Sequence, residues 1–410
     1  MKVLISGAGI AGPTLGYWLE QAGFEPTIVE RAPEFRTGGY MIDFWGIGYE
    51  VAERMGLRDE LTRRGYMVRE VHVVNARGRK VASFGAEVFN RTTGGRYVSL
   101  PRGDLAEAIH GLIRGKVEMW FDDSIDRLEQ DEKGVHVRFA SGRNRRFDLV
   151  VGADGLHSRV RELVFGPESR FERFLGFGVA AFEVHGYRPR DELVYVMFTQ
   201  VGRQIARFPM RGDRTMFLFV FADEDGARAS AKTLGEQKAV LHGEFGGKGW
   251  ECEEILAQLD RCDELYFDRV SQIRMEPVAG EARWSRGRVG LVGDAAGCVS
   301  LLAGEGAGIG MASAYLLAGE LAQAGGDHHP AFAEYERRFA EFVLRKQVGA
   351  RRLAGQFAPR TALGLHVRNI VMNLFKIPWV ADITVGHEMK DDFEFPGYDF
   401  GESAAVRAKT

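Results

Sequence analysis

The stretch that most constrains this chain is Gly7-Ala8-Gly9-Ile10-Ala11-Gly12, set between an apolar run and a helix-forming segment. Lys2-Val3-Leu4-Ile5-Ser6 has the near-continuous apolar character of a strand buried on both faces. After the glycines come Leu15, Tyr17, Trp18 and Leu19, with Gly23 as a stop. A second apolar run, Pro26-Thr27-Ile28-Val29, is closed by Glu30 and Arg31. Gly7 permits a tight turn, Gly9 lets the backbone approach a pyrophosphate, and Gly12 lets helix and strand pack closely. Pro13 fits the first helical turn, where its missing N–H costs nothing. The free N–H groups at Ile10 and Ala11 and the positive end of the helix dipole favour a diphosphate. Glu30 stands where a carboxylate accepts ribose hydroxyl hydrogens, which argues against a 2′-phosphate. A Gly-rich turn alone is weak evidence. Strand, glycines, helix, strand and acid in register read as an ADP-moiety site for NAD or FAD.

At 410 residues the chain has room for two or three domains. A net charge of -3 offers no electrostatic case for nucleic acid or an anionic membrane. Cys252, Cys262 and Cys298 form no CxxC, so neither a disulfide framework nor a metal site is expected, only reduced and largely buried thiols. The longest apolar stretch, from Val289, carries Asp294 and Glu305, so no transmembrane segment is expected. The nucleotide strand begins at Lys2 and leaves no room for a signal peptide, which points to the cytoplasm.

The fold class expected is α/β: a Rossmann-like dinucleotide domain interleaved with a mainly antiparallel β-sheet substrate domain, plus C-terminal helices. Residues 1–70, 100–172 and 282–330 are assigned to the first, 71–99 and 173–281 to the second, and 331–410 to a C-terminal helical segment. Val71 to Val74 and Val81 to Phe84 flank Arg77-Gly78 as a hairpin, and Arg102 opens a helix. Phe147 to Val151 reads as one buried run. Three long β segments, Val179 to Val184, Leu193 to Phe198 and Met216 to Phe221, make up the antiparallel sheet. Beyond Pro359, the stripe Leu363, Val367, Ile370, Val371 and Leu374 marks a helix packed by that face against the body.

Two further strand ends carry acids. Asp154-Gly155 closes Leu149-Val-Val-Gly-Ala, where a carboxylate can accept a ribose or ribityl hydroxyl, or simply cap the next helix. Gly293-Asp294 closes a third strand and runs into Gly304-Glu305-Gly306-Ala307 and a small-residue helix, whose N-terminus can lie against a flat ligand bearing negative charge.

Three such strand ends in this order resemble the flavoprotein monooxygenases typified by para-hydroxybenzoate hydroxylase, over residues 1–345. The resemblance implies that Gly7, Gly9, Gly12 and Glu30 bind the ADP half of FAD. It implies cofactor contacts for Arg36, Arg102 and Asp154-Gly155, a ribityl contact for Asp294, and a flavin-ring loop at Gly304-Glu305-Gly306. Through Gly39-Tyr-Met-Ile-Asp-Phe-Trp-Gly46 and the long C-terminal helix, the chain is more closely similar to tetracycline-inactivating and polyketide-tailoring members. The activity implied is NADPH- or NADH-driven hydroxylation or epoxidation of an aromatic or polyketide-like small molecule with molecular oxygen, through a C4a-hydroperoxyflavin on non-covalent FAD.

The chain departs from the family pattern: Gly297 replaces a histidine, Leu301 a proline, Glu305 a glutamine and Gly308 an asparagine. A carboxylate at 305 facing the ring disfavours an anionic reduced flavin, which keeps open a reductase or oxidase without oxygen insertion, or a non-redox FAD-containing binding protein or cyclase. No side chain stands out as acid or base, since the flavin carries such chemistry. Asp43, Trp45, His185, Tyr195, Met197, Arg207 and Met210 are candidates for a substrate pocket, with a salt bridge the simpler reading of Arg207. Oligomeric state is not legible.

Overall fold

The computed structural model describes residues 1–35, 38–187, 193–276, 282–375 and 391–400. Lys2–Ser6 and Glu25–Val29 pair in parallel, with Ala11–Gln21 as the crossover helix. The sheet grows to six strands, in the order Ser285–Arg286, Val289–Leu291, Leu149–Gly152, Lys2–Ser6, Glu25–Val29 and Glu118–Trp120. Only the edge strand Ser285–Arg286 runs antiparallel. Val3, Leu4, Ile5, Leu149, Val150 and Val151 are fully buried, as a parallel sheet covered on both faces requires. The chain must leave this sheet and return for Val289–Leu291, so the interleaving is a property of strand order.

The second sheet has seven strands, in the order Tyr266–Ile273, Glu172–His185, Arg214–Ala222, Arg203–Met210, Val194–Gln200, Glu70–Val74 and Lys80–Gly85. It is antiparallel throughout except where Val194–Gln200 runs parallel to Glu70–Val74. One face lies on helices Leu234–Phe245 and Cys252–Asp260, with Phe182, Phe198, Phe217 and Phe219 between. The other face turns toward a two-stranded ribbon, Met41–Trp45 with Tyr97–Pro101. Alternation along a strand fixes which residues face which way.

Three expectations need correction. The run Phe147 to Val151 divides: Asn144–Phe147 belongs to a three-stranded sheet and Leu149–Gly152 to the nucleotide sheet. Asp148, at the division, accepts a hydrogen bond from Lys2 N at 2.6 Å. Helix Ala362–Leu374 exposes the apolar stripe expected to dock, with Leu363 at 74%. It docks by Met372 and by polar side chains: Asn373 donates to Val81 O at 3.1 Å and accepts from Ser83 N at 3.3 Å, completing an edge strand. Finally, residues 391–400 are an extended strap, not helix. Its Phe393, Phe395, Tyr398 and Phe400 return to the nucleotide body, where Tyr398 packs over Gly319 and Phe400 on Trp18. Among the described residues no helix is long and apolar enough to cross a membrane. All three cysteines are free; Cys252 and Cys298 are buried and Cys262 is partly so.

Candidate cofactor and substrate site

The glycine turn has the geometry its sequence demands. Gly7 takes φ +106°, which L side chains rarely adopt, and a β-carbon there would meet Ala153 O at 2.6 Å. A β-carbon on Gly12 would lie 1.9 Å from Gly7 O, so helix and turn are in contact. Glu30 locks the turn: its carboxylate accepts from Ala8 N and Ala32 N, each at 2.8 Å. Ile10 and Ala11 are buried, and neither side chain at the N-terminus of helix Ala11–Gln21 nor that of Arg31, which is exposed, caps the first turn. Gly9 stays partly open, and a β-carbon there would sit 3.4 Å from the Arg102 guanidinium.

Gly9, Arg102 and Asp294 lie side by side at the strand ends of the six-stranded sheet, and Asp43, Trp45 and Gly304 line a small cleft beyond them. Arg102 electrostatically faces both Asp294 and Tyr40. Burial pushes the Asp294 carboxyl above the ordinary carboxylate range, and Arg102 pulls it back. Burial likewise pushes Tyr40 up to about 12. Both residues nevertheless keep accessible surface, as the walls of a deep cleft do. A β-carbon on Gly306 would sit 3.6 Å from Asp294 Oδ1, so the acid lies directly beneath the start of helix Gly306–Gln323. Gly293, at φ +60°, makes the preceding bend and donates its N–H to Ser313 Oγ at 2.9 Å. The small residues of that helix also serve packing: Gly310 sits against Ala11 and Gly308 against Gly48.

Asp154 is placed at this sheet edge, but its oxygens are committed. They accept from Ser158 Oγ at 2.5 Å, Arg159 N at 2.8 Å and Val160 N at 3.1 Å, capping helix Arg159–Phe165. Asp154 thus caps this helix, while Gly155, at φ +80° with open space beside it, stays approachable. Sequence reasoning missed Arg161, which is fully buried and donates to Leu156 O at 2.6 Å and Ala295 O at 3.2 Å. It ties the Asp154 turn to the Asp294 turn. Arg36 lies outside the described residues.

The ribbon forms the wall between the cleft and the second sheet. Met41, Asp43 and Trp45 share a face with Tyr97 and Ser99 of the paired strand. Asp43 accepts from Tyr97 Oη at 2.6 Å, and Tyr195 of the seven-stranded sheet donates to Ser99 Oγ at 3.0 Å. Burial raises the Asp43 carboxyl, the Tyr97 and Ser99 hydroxyls opposing it, although the side chain remains accessible from the cleft. Trp45 lies 3.5 Å from where a Gly304 β-carbon would be. Tyr195, Met197 and Met210 join Phe208 and Met216 in an apolar layer that packs against Met41 of the ribbon.

Two pocket candidates do not belong to that layer. Arg207 pairs in register with Val196 and Phe217, on the helix-covered face, where it forms an ion pair with Glu251 and lies 5.4 Å from the Trp250 ring centroid. One and three residues from Phe208 and Met210, it faces the opposite side of the sheet. His185 is exposed at the far end of Glu172–His185, opposite Arg214.

Glu305 is turned toward the C-terminal part of the chain. Lys346 Nζ lies 2.5 Å from Glu305 Oε1 and 2.6 Å from Asp391 Oδ1. Asp391 in turn accepts from Ile47 N at 2.7 Å, capping helix Gly46–Arg54 from the strap. Just before this turn, buried Ser300 holds φ +132°, a strained conformation for a side-chain-bearing residue.

The FAD binding domain family matches residues 1–331. A flavin-dependent monooxygenase from an unknown prokaryotic organism is 33% identical over 347 residues, covering 85% of this chain and 87% of the relative. The chain belongs to the FAD-dependent monooxygenases. An uncharacterized protein of Mycobacterium tuberculosis is 39% identical over 360 residues, covering 84% of this chain and 91% of its own. The crystal structure of tetracycline destructase Tet(51) superposes with a TM-score of 0.80 at 29% identity, covering 97% of this chain and 99% of that one.

For an FAD-dependent monooxygenase the departures from pattern now have packing causes. A β-carbon on Gly297 would meet Val343 Cγ1 at 2.8 Å, so helix His328–Phe357 leaves no room for a histidine. A β-carbon on Gly308 would lie 3.4 Å from Gly48 Cα, whereas one on Gly48 would meet Gly308 Cα at 2.3 Å, so the close approach of the two helices is set at Gly48. Leu301 begins a 3-10 turn and packs with Leu302 on the second sheet. The residues present fit FAD: an uncapped glycine cradle, a guanidinium beside it, an acid under a second helix start, and Gly304 and Gly306 open at the end. Burial raises the Cys298 thiol well above its ordinary value, which keeps it protonated and disfavours covalent attachment.

Proposed function

We propose that this FAD-dependent monooxygenase uses NADPH or NADH and molecular oxygen to hydroxylate or epoxidise an aromatic or polyketide-like small molecule, a class that includes tetracyclines. The observation that carries this reading is the shared wall. The ribbon face bearing Asp43, Trp45 and Ser99 borders both the cleft that ends at Gly304 and the apolar layer of Tyr195, Met197 and Met210. An apolar ring compound seated there lies against the end of the cofactor.

In this reading Gly7, Gly9, Ile10, Ala11, Gly12, Glu30 and Arg31 hold the ADP half of FAD. Arg102 neutralises the diphosphate and Asp294 accepts ribityl hydroxyls. Gly155 and Gly293 keep the backbone clear of the ligand, while Gly304, Glu305, Gly306 and Ala307 present N–H groups to the ring edge. FAD, when bound, supplies the redox chemistry. Asp43, with Tyr97 and Ser99, offers a hydrogen-bond acceptor to a substrate hydroxyl on that wall. The reading places the protein in the cytoplasm, where reduced nicotinamide nucleotides are available, and needs no protein or nucleic-acid partner.

The ion pair of Glu305 with Lys346 supports oxygen insertion over the non-inserting alternatives, since the carboxylate that argued against it is compensated. The test is NADPH and NADH oxidation by the FAD-loaded protein across a panel of aromatic and polyketide compounds. A compound that accelerates oxidation and leaves a product heavier by one oxygen supports the reading. Oxidation that yields only hydrogen peroxide with every compound overturns it.

A further inference from the structure

Helix Ala362–Leu374 crosses the cleft-side face of the seven-stranded sheet and brings one cation onto it. Arg368 Nη1 donates to Thr199 Oγ1 at 3.1 Å, and Nη2 donates to Gln204 Oε1 at 2.8 Å. Thr199 and Gln204 are buried, and both acceptors are neutral. Among the described residues no carboxylate pairs with this guanidinium. Burial lowers its pKa to about 10. Part of the side chain stays accessible. A guanidinium has five N–H donors, and the two neutral acceptors leave its charge without a counter-charge among the described residues.

Its place follows from register. Thr199 shares a strand face with Tyr195 and Met197, and Gln204 with Ala206 and Phe208. Thr199 pairs with Gln204, and Gln204 with Val220, over which Leu302 of the Leu301–Ala303 turn packs. Arg368 therefore stands one to two strand spacings, roughly 5–10 Å, from the strand position on which that turn packs. That distance suits the far end of a bicyclic or larger substrate whose near end lies at the ribbon wall.

We infer that Arg368 is a specificity-determining residue that pairs with an anionic oxygen group, a carboxylate or an ionised enol, on the end of the substrate remote from the oxidised atom. Neutral ring compounds fill the apolar layer but leave the guanidinium uncompensated. The inference rests on the reading that this layer holds the organic substrate.

Binding is read without turnover, from the change in flavin absorbance of the FAD-loaded protein on titration with 1-hydroxy-2-naphthoate and with its neutral carboxamide. The carboxylate is expected to bind at least tenfold more tightly than the amide. Arg368→Gln should abolish that preference while leaving amide affinity within twofold, and Arg368→Lys should retain part of it. Gln204→Glu places a carboxylate against the guanidinium with almost no change in volume; it should raise the melting temperature and remove the preference as well. Wild-type protein that binds neither probe or both alike overturns the inference, as does a preference that survives Arg368→Gln or Gln204→Glu. NADPH oxidation without oxygen transfer would count against the proposed function and leave this result standing.

Discussion

Lys346→Met isolates the ion-pair network behind the turn at residues 304–307. Lys346 lies 2.5 Å from Glu305 and 2.6 Å from Asp391, and the three side chains keep 15%, 16% and 10% of their surface. Charge centres ~4 Å apart attract by about 4 kcal/mol at an effective dielectric of 20. Removing one member of a buried pair costs about 3–5 kcal/mol, because the remaining charge is left unpaired. Residual exposure returns some solvation, so a loss of roughly 2–3 kcal/mol is expected. Glu305→Gln in the Lys346→Met background should recover at least half of it. Signs separate charge from mere disruption: Lys346→Met should lower the flavin midpoint potential, Glu305→Gln should raise it, and the double variant should lie between. Denaturant titration and potentiometric titration of the FAD-loaded variants measure both quantities. Full stability in Lys346→Met, or two single variants that shift the potential in the same direction, refutes the reasoning.

Asp294→Ala should weaken FAD binding tenfold to hundredfold, from about 1.5–3 kcal/mol for a lost charged hydrogen-bond partner, and a dissociation constant within twofold of wild type contradicts that role. Gly12→Ala drives a β-carbon to 1.9 Å from Gly7 O, so the purified variant should be colourless; a variant that stays yellow with full flavin occupancy refutes the contact. His157 lies 2.9 Å from Glu168 and 3.4 Å from Asp268, and hydrogen bonds to these acids raise its pKa from 6.5 to about 10. A raised pKa contributes stability that is full below 6.5 and lost as pH rises toward 10, trimmed because 57% of the side chain is exposed. Melting temperatures of wild type and His157→Gln should therefore converge with rising pH, and a constant gap from pH 6 to 10 counts against the link.

The parts of this protein that a local pattern encodes were legible in its sequence. Gly7, Gly12 and Glu30 act within one strand–helix–strand unit, and a positive φ or a backbone contact there leaves a glycine behind. The partners of Glu305 were not, because Lys346 and Asp391 lie far along the chain on a helix and a strap whose docking no periodicity announces. Arg207 could have been placed by counting: a residue one step from Phe208 must face the opposite side of the sheet. The helix Ala362–Leu374 misled in the other direction. Its apolar stripe suggested a buried face, whereas Asn373 and Arg368 dock it through hydrogen bonds to an edge strand and a sheet face.

Whether the bound flavin delivers an oxygen atom to an organic substrate is decided with labelled dioxygen. A compound that stimulates NADPH or NADH oxidation is turned over under 18O2 and the product weighed. One 18O atom per product molecule, with one nicotinamide oxidised for each, is the result expected. Unlabelled product, or complete recovery of the label as hydrogen peroxide, would contradict it.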